Sequence, residues 1–287
     1  MNKSFLMICA LAMLSTACVN LPHSAHPLAA NAMEKPVAPE DEELKLMIPL
    51  SGGLAFYDID PPFAEDATML NDVNLQSYFG EAGISFSKSL SKKSGTAFSG
   101  GLSMFSYSGR SIGPEESEQF GMNRRQSYSG YGGRINLSID LNYEMSRKSN
   151  LCWRVFNVQH TFAAESGTYG DYRQIAIDSS YTYFLDPFDN ELRATPAASN
   201  FMSTHFYSEL ILDYETYGFT FGLGFLNHLY QTDLGVWESY IFNGTMHVGF
   251  NIRDFYARFN FGSLTSIYPF ADPFNMNMSV GYRVQLL

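Results

Sequence analysis

The stretch "MSTHFYSELILDY", Met202 to Tyr214, holds the side chains with the best claim to chemistry. Alternate residues of a strand share a side, so Ser203, His205 and Glu209 fall on one face. A hydroxyl becomes a nucleophile when a histidine lies within hydrogen-bond reach and a polar group orients that histidine. Ser203 and His205 supply the first two at i and i+2, with Glu209 further along. His160 and Thr161 pair less well, because adjacent strand residues point to opposite faces. Neither histidine has a third partner at a compelling spacing, so no catalytic residue is assigned. His205 is better read as one member of a polar network.

Metal and phosphate chemistry find less support. "DIDPPFAED" (Asp58 to Asp66) gathers Asp58, Asp60, Glu65 and Asp66. Calcium, however, wants about six oxygens in a fixed turn, and the prolines and spacing do not give one. "GPEESEQF" (Gly113 to Phe120) is likewise a solvated acidic loop, partly offset by Arg110, Arg124 and Arg125. There is no G-x-S-x-G, H-E-x-x-H, P-loop or cysteine cluster. Neither a metal nor a cofactor is expected. A net charge of −11 argues against nucleic acid as a partner, since phosphate contacts need clustered Lys and Arg.

The elements that would position these residues are strands. "GRINLSIDLNY" alternates from Arg134, with Ile135, Leu137, Ile139, Leu141 and Tyr143 on one side. Arg134, Asn136, Ser138, Asp140 and Asn142 take the other. Such a strand fits a soluble β-sandwich with its apolar face inward, or a membrane barrel with that face in lipid. Composition favours the barrel. Charged residues make up 16% of the 287, against roughly 25% in soluble domains, while Phe and Tyr number 24 and 18. No lysine follows Lys148, although many alternating segments do.

The segments drawn as strands are 45–58, 74–90, 96–107, 127–144, 150–163, 171–184, 190–196, 200–214, 217–229, 239–252, 255–265 and 275–287. Short turns such as "SKKSG", "EMSRKSN", "YETYG" and "IRDF" alternate with longer connections. The weak strand at 190–196 is included to keep the directions alternating. Aromatics mark both ends: Tyr143, Trp153, Tyr214, Tyr217 and Phe255 beside the short turns, and Tyr128, Tyr131, Tyr230, Trp237 and Tyr240 opposite. The expectation is an all-β, antiparallel up-and-down transmembrane β-barrel of about twelve strands over 44–287. Its lumen would be lined by Arg134, Asp140, Asp178, His205, Glu209, Asp213, His247, Arg258 and Arg283. Gly222 and Gly224 would leave space on that wall.

The chain's start has a basic residue (Lys3), an apolar run from Phe5 to Leu14, and small residues before Cys18. This is a secretory signal peptide over 1–17. "LSTAC" resembles the lipobox of bacterial lipoproteins, which implies lipidation at Cys18; cleavage after Ala32 in "AANA" is the alternative. Residues 18–43, ending in "PEDEE", form a flexible tether. No disulfide framework is available in the mature chain, where Cys152 stands alone in a strand.

From about residue 45 onward the chain resembles bacterial outer-membrane β-barrels. The last strand, "MSVGYRVQLL", alternates as their closing strands do but ends in Leu287 rather than an aromatic. The resemblance implies a Gram-negative outer-membrane location, outer-membrane lipids around the barrel and barrel-assembly machinery for insertion. The function expected is a narrow pore or binding channel for small polar solutes, with acidic outer loops that disfavour anions. The alternatives are a lipid-hydrolysing barrel with a Ser/His pair at its rim, and a non-conducting structural or surface lipoprotein.

Overall fold

The computed structural model describes residues 44–59, 73–91, 95–113, 118, 123–146, 148–171, 200–214, 216–231, 237–263 and 274–286. The signal peptide, Cys18, the tether and Asp178 lie outside the described residues. Alternation of apolar and polar residues gives ten strands: β1 (Leu44–Ile59), β2 (Val73–Ser91), β3 (Thr96–Ile112), β4 (Arg125–Ser146), β5 (Ser149–Gly167), β6 (Asn200–Tyr214), β7 (Tyr217–Gln231), β8 (Trp237–Ile252), β9 (Phe255–Ser263) and β10 (Phe274–Gln285). Each pairs antiparallel with its sequence neighbour. β1 then closes on β10, from Met47 opposite Gln285 to Asp58 opposite Phe274.

The ring therefore closes with ten strands among the described residues, not twelve. β5 pairs directly with β6, from Ser149 opposite Tyr214 to Ala164 opposite Asn200. One long connection between them already reverses the chain, so no extra strand is needed to restore direction. The segments 171–184 and 190–196, apart from Asp171, lie outside the described residues. Short links join β2 to β3, β4 to β5, β6 to β7 and β8 to β9, all at the barrel end that also holds Leu44 and Gln285. The long connections emerge at the other end.

The sheet wears its apolar face outside. Leu137 is 46% exposed, whereas its neighbours Asn136 and Ser138 are buried inward. Ile84, Leu102, Met104, Leu210, Phe221, Leu223 and Val248 are also among the exposed large apolar side chains. In water such a belt would be unfavourable at every strand; surrounded by lipid it is matched. The closed single sheet and the buried polar interior exclude the sandwich. Aromatic pairs ring the short-turn rim: Tyr214 stacks on Tyr217 at 4.7 Å, and Phe255 lies 4.7 Å from Tyr282. Trp153 in the same rim donates to the Ser208 hydroxyl at 3.0 Å. At the opposite end Tyr131 is exposed, but Tyr128 turns inward, because they are three positions apart and an odd step changes face. The side chains of Tyr230, Trp237 and Tyr240 lie outside the described residues.

Inside, aromatic rings lie against glycines of the neighbouring strand. Tyr128 of β4 covers Gly109 of β3 and donates to the Gln76 carbonyl of β2 at 3.0 Å. Tyr107 of β3 covers Gly130 of β4 and reaches Glu165 of β5 at 2.9 Å. At the closing seam, Tyr256 of β9 covers Gly281 of β10 and donates to Leu50 of β1 at 3.2 Å. Each ring thus ties three strands and fixes their register, which a Cβ on the glycine would prevent.

Candidate functional site in the barrel lumen

The centre of the lumen is a chain of charged and hydroxyl side chains. Asp140 of β4, Arg154 of β5 and Glu209 of β6 face inward on adjacent strands. Arg154 grips Asp140 with two arms, Nε to Oδ1 at 2.7 Å and Nη2 to Oδ2 at 3.0 Å. Its third arm, Nη1, donates to Glu209 Oε2 at 3.0 Å. The other Glu209 oxygen, Oε1, takes His247 Nε2 of β8 at 2.6 Å and Arg258 Nη2 of β9. On the far side Ser99 donates to Asp140 at 3.1 Å, which leaves Ser87 to donate to Ser99 at 2.8 Å. Charged groups lose strong hydration when buried, so they persist there only paired and hydrogen-bonded as these are.

A second pair lies on β2 and β4. Arg134 Nη1 meets Glu81 Oε2 at 2.7 Å, and Ser103 donates to the same carboxylate. The Arg134 guanidinium also lies over the Phe105 ring, 4.5 Å from its centre. Arg283 covers the Tyr256 ring in the same way, at 4.7 Å, near the short-turn mouth. Among the described strand residues that are buried or half-buried on the inner face, Lys45, Arg134, Arg154, Arg258 and Arg283 are matched by Glu81, Asp140, Glu165, Glu209 and Asp213. The wall is polar but balanced.

Ten strands spaced about 4.8 Å apart and tilted about 40° enclose a backbone cylinder of roughly 10 Å radius. Eight strands already give an interior that side chains just fill. Here arginine, tyrosine and histidine fill the wider one. Arg154 and Glu209 have side-chain exposures of 0% and 1%, so water has no access to either at their level.

No protein-family model matches the chain, and no curated protein does. Solved structures similar to it are outer-membrane barrels. The outer membrane protease OmpT from Escherichia coli shares 9% identity at a TM-score of 0.38, covering 87% of this chain and all, 100%, of its own. The transport unit of the autotransporter AIDA-I from Escherichia coli shares 7% at 0.43, covering 90% and 93%. An outer membrane channel from Pseudomonas putida F1 shares 11% at 0.38, covering 86% and 100%. The barrel assignment rests on the strand pairing described above, not on these likenesses.

Of the lumen residues expected from sequence, Arg134, Asp140, His205, Glu209, Asp213, His247 and Arg258 are buried on the inner face. Arg283 shares that face, half-buried at the mouth. Four of them, Asp140, Glu209, His247 and Arg258, join one network; the hub that joins them, Arg154, was missed. A β-bulge between Arg154 and Asn157 shifts the register, so parity read from Gln159 and Thr161 puts Arg154 on the wrong face. Glu81 was legible, since Ile84 and Phe86 face outward and odd positions therefore face inward. The space expected at Gly222 and Gly224 is filled: a Cβ there would meet the His247 ring at one, and Tyr207 and His205 at the other.

His205, read from sequence as a member of a polar network rather than as a partner of Ser203, takes cross-strand partners. His205 Nε2 meets Thr245 Oγ1 of β8 at 2.7 Å, and Glu209 is engaged by Arg154, His247 and Arg258. His160 faces outward and meets Thr204 Oγ1 of β6 at 2.8 Å, with Phe162 edge-on at 4.5 Å. A hydroxyl therefore stands beside each histidine, as a hydrolase requires. Among the described residues no third polar group is bonded to His160 to orient it.

Proposed function

We propose that the chain is an outer-membrane β-barrel acting as a narrow passage or binding channel for small polar solutes. The observation that carries this reading is a polar, charge-balanced interior within a closed sheet whose exterior is apolar. Such a wall offers hydrogen bonds to an uncharged solute and gives ions of either sign no net attraction. Passage requires the Asp140–Arg154–Glu209 hub to move aside. The outer face would be solvated by outer-membrane lipid.

The complete burial of that hub favours a second reading, a non-conducting barrel that serves as a platform for its long connections. Planar-bilayer recording and proteoliposome swelling separate the two. The channel reading expects swelling in small neutral solutes with wild type, and larger swelling and ionic conductance with an R154L/E209L double variant that still shows heat-modifiable gel migration. If neither protein passes solute or current, the channel reading fails and the platform stands.

A further inference from the structure

On β8, β9 and β10 three inward side chains stand at directly paired positions, His247 opposite Asn260 and Asn260 opposite Asn277. They are 1%, 9% and 1% exposed. His247 gives its Nε2 hydrogen to Glu209, which leaves Nδ1 as an acceptor. That atom has no hydrogen-bond partner among the described residues, and neither do Asn260 Nδ2, Asn277 Nδ2 and Asn277 Oδ1. Buried polar atoms are nearly always bonded, because an unbonded one has given up water for nothing. Side by side with the densely bonded hub, these atoms form a row of unused hydrogen-bonding capacity.

We infer that this row recognises a small neutral solute bearing vicinal hydroxyl groups, glycerol or a small sugar in kind. The inference rests on the reading of the lumen as a solute passage and names the solute class. A primary amide presents an acceptor and a donor about as far apart as two adjacent hydroxyls. Asn277 Oδ1 would accept from one hydroxyl while Nδ2 donates to the next. Asn260 Nδ2 adds a donor and His247 Nδ1 an acceptor. Tyr207, edge-to-face with His247 at 5.4 Å, supplies the apolar surface that the C–H side of a polyol needs. The balanced wall gives no reason to prefer a charged guest. The packing leaves no gap against the four atoms. A guest is therefore admitted by turning the amides toward the axis, and the bonds it supplies offset the disturbance.

Saturation-transfer NMR on the refolded chain in an amine-oxide detergent tests the site, with glycerol and trimethylene glycol as probes. The second probe has two hydroxyls that are not vicinal. The expected result is several-fold stronger transfer to glycerol in wild type, and loss of that preference in N277L and in N260L. Leucine approximates asparagine in size and removes unbonded atoms, so both variants should fold. Equal transfer to both probes in wild type, or an unchanged glycerol preference in both variants, overturns the site. Glycerol binding without proteoliposome swelling in glycerol keeps the site and overturns the passage. Swelling in both probes alike, with no binding preference, keeps the passage and overturns the site.

Discussion

Replacing Arg154 by methionine perturbs the lumen network at its hub. The guanidinium makes two hydrogen bonds to Asp140 and one to Glu209 from a site with 0% side-chain exposure. Removing one partner of a buried ion pair costs about 3–5 kcal/mol, most of it from the charge left behind. Glu209 keeps His247 and Arg258, so its share of the loss is largely covered. Asp140 keeps only the Ser99 hydroxyl among the described residues. The R154M variant should therefore lose about 3 kcal/mol, and that loss should sit on Asp140. Adding D140N, which keeps the shape and removes the charge, should return roughly half of it. The assay is equilibrium urea unfolding in detergent micelles, followed by tryptophan fluorescence and by heat-modifiable gel migration. A loss below about 1 kcal/mol, the size expected of exposed ion pairs, would mean that water reaches the hub. The interior would then be an open pore, and the description of it as filled would be wrong.

Other substitutions probe the remaining walls. On the outward face, L137R should cost about 2–4 kcal/mol in vesicle-based unfolding; an effect within about 0.5 kcal/mol is what a wet surface gives and would refute the lipid-facing assignment. At the closing seam, G281A drives a Cβ into the Tyr256 ring and should cost about 1–3 kcal/mol in the same assay. Y256F keeps the ring but loses the bond to Leu50, so it should cost only about 1 kcal/mol, and a larger loss than G281A would contradict the ring-on-glycine account. G222A should displace the His247 ring from Glu209, read as a changed His247 imidazole shift in NMR; an unchanged shift would show that the ring has room to spare.

Much of the fold was legible because alternation is a local property. Every apolar run from Ile135 to Tyr143 and from Tyr217 to Phe225 faces outward as its spacing required, and the rhythm of short and long links gave the two ends. Errors arose where parity breaks or where contacts are made across strands. The bulge between Arg154 and Asn157 hid the hub. The odd step from Tyr128 to Tyr131 mixed an inward ring with an outward one. Glu209 lies buried beside His205 on the face its parity implies, yet its partners come from β5, β8 and β9, which no spacing along β6 reveals. Glycines on the lumen face suggested empty space, because a sequence shows the missing side chain but not the ring that lies over it.

The inward rings of Phe105, Tyr107, Tyr128 and Tyr256 lie against glycines of neighbouring strands, and the tyrosine hydroxyls are tied to groups on the strands beyond. Held flat along the wall, they add stiffness without crossing the axis. The groups bonded to one another from β4 round to β9 are instead Asp140, Arg154, Glu209, His247 and Arg258. An apolar plug that moved aside would have to expose its surface to water at about 25 cal/mol per Å². A polar plug exchanges one set of hydrogen bonds for another, with a far smaller net difference. Closure by ion pairs, with the aromatics withdrawn to the wall, is therefore the arrangement that the proposed passage would need in order to open at low cost.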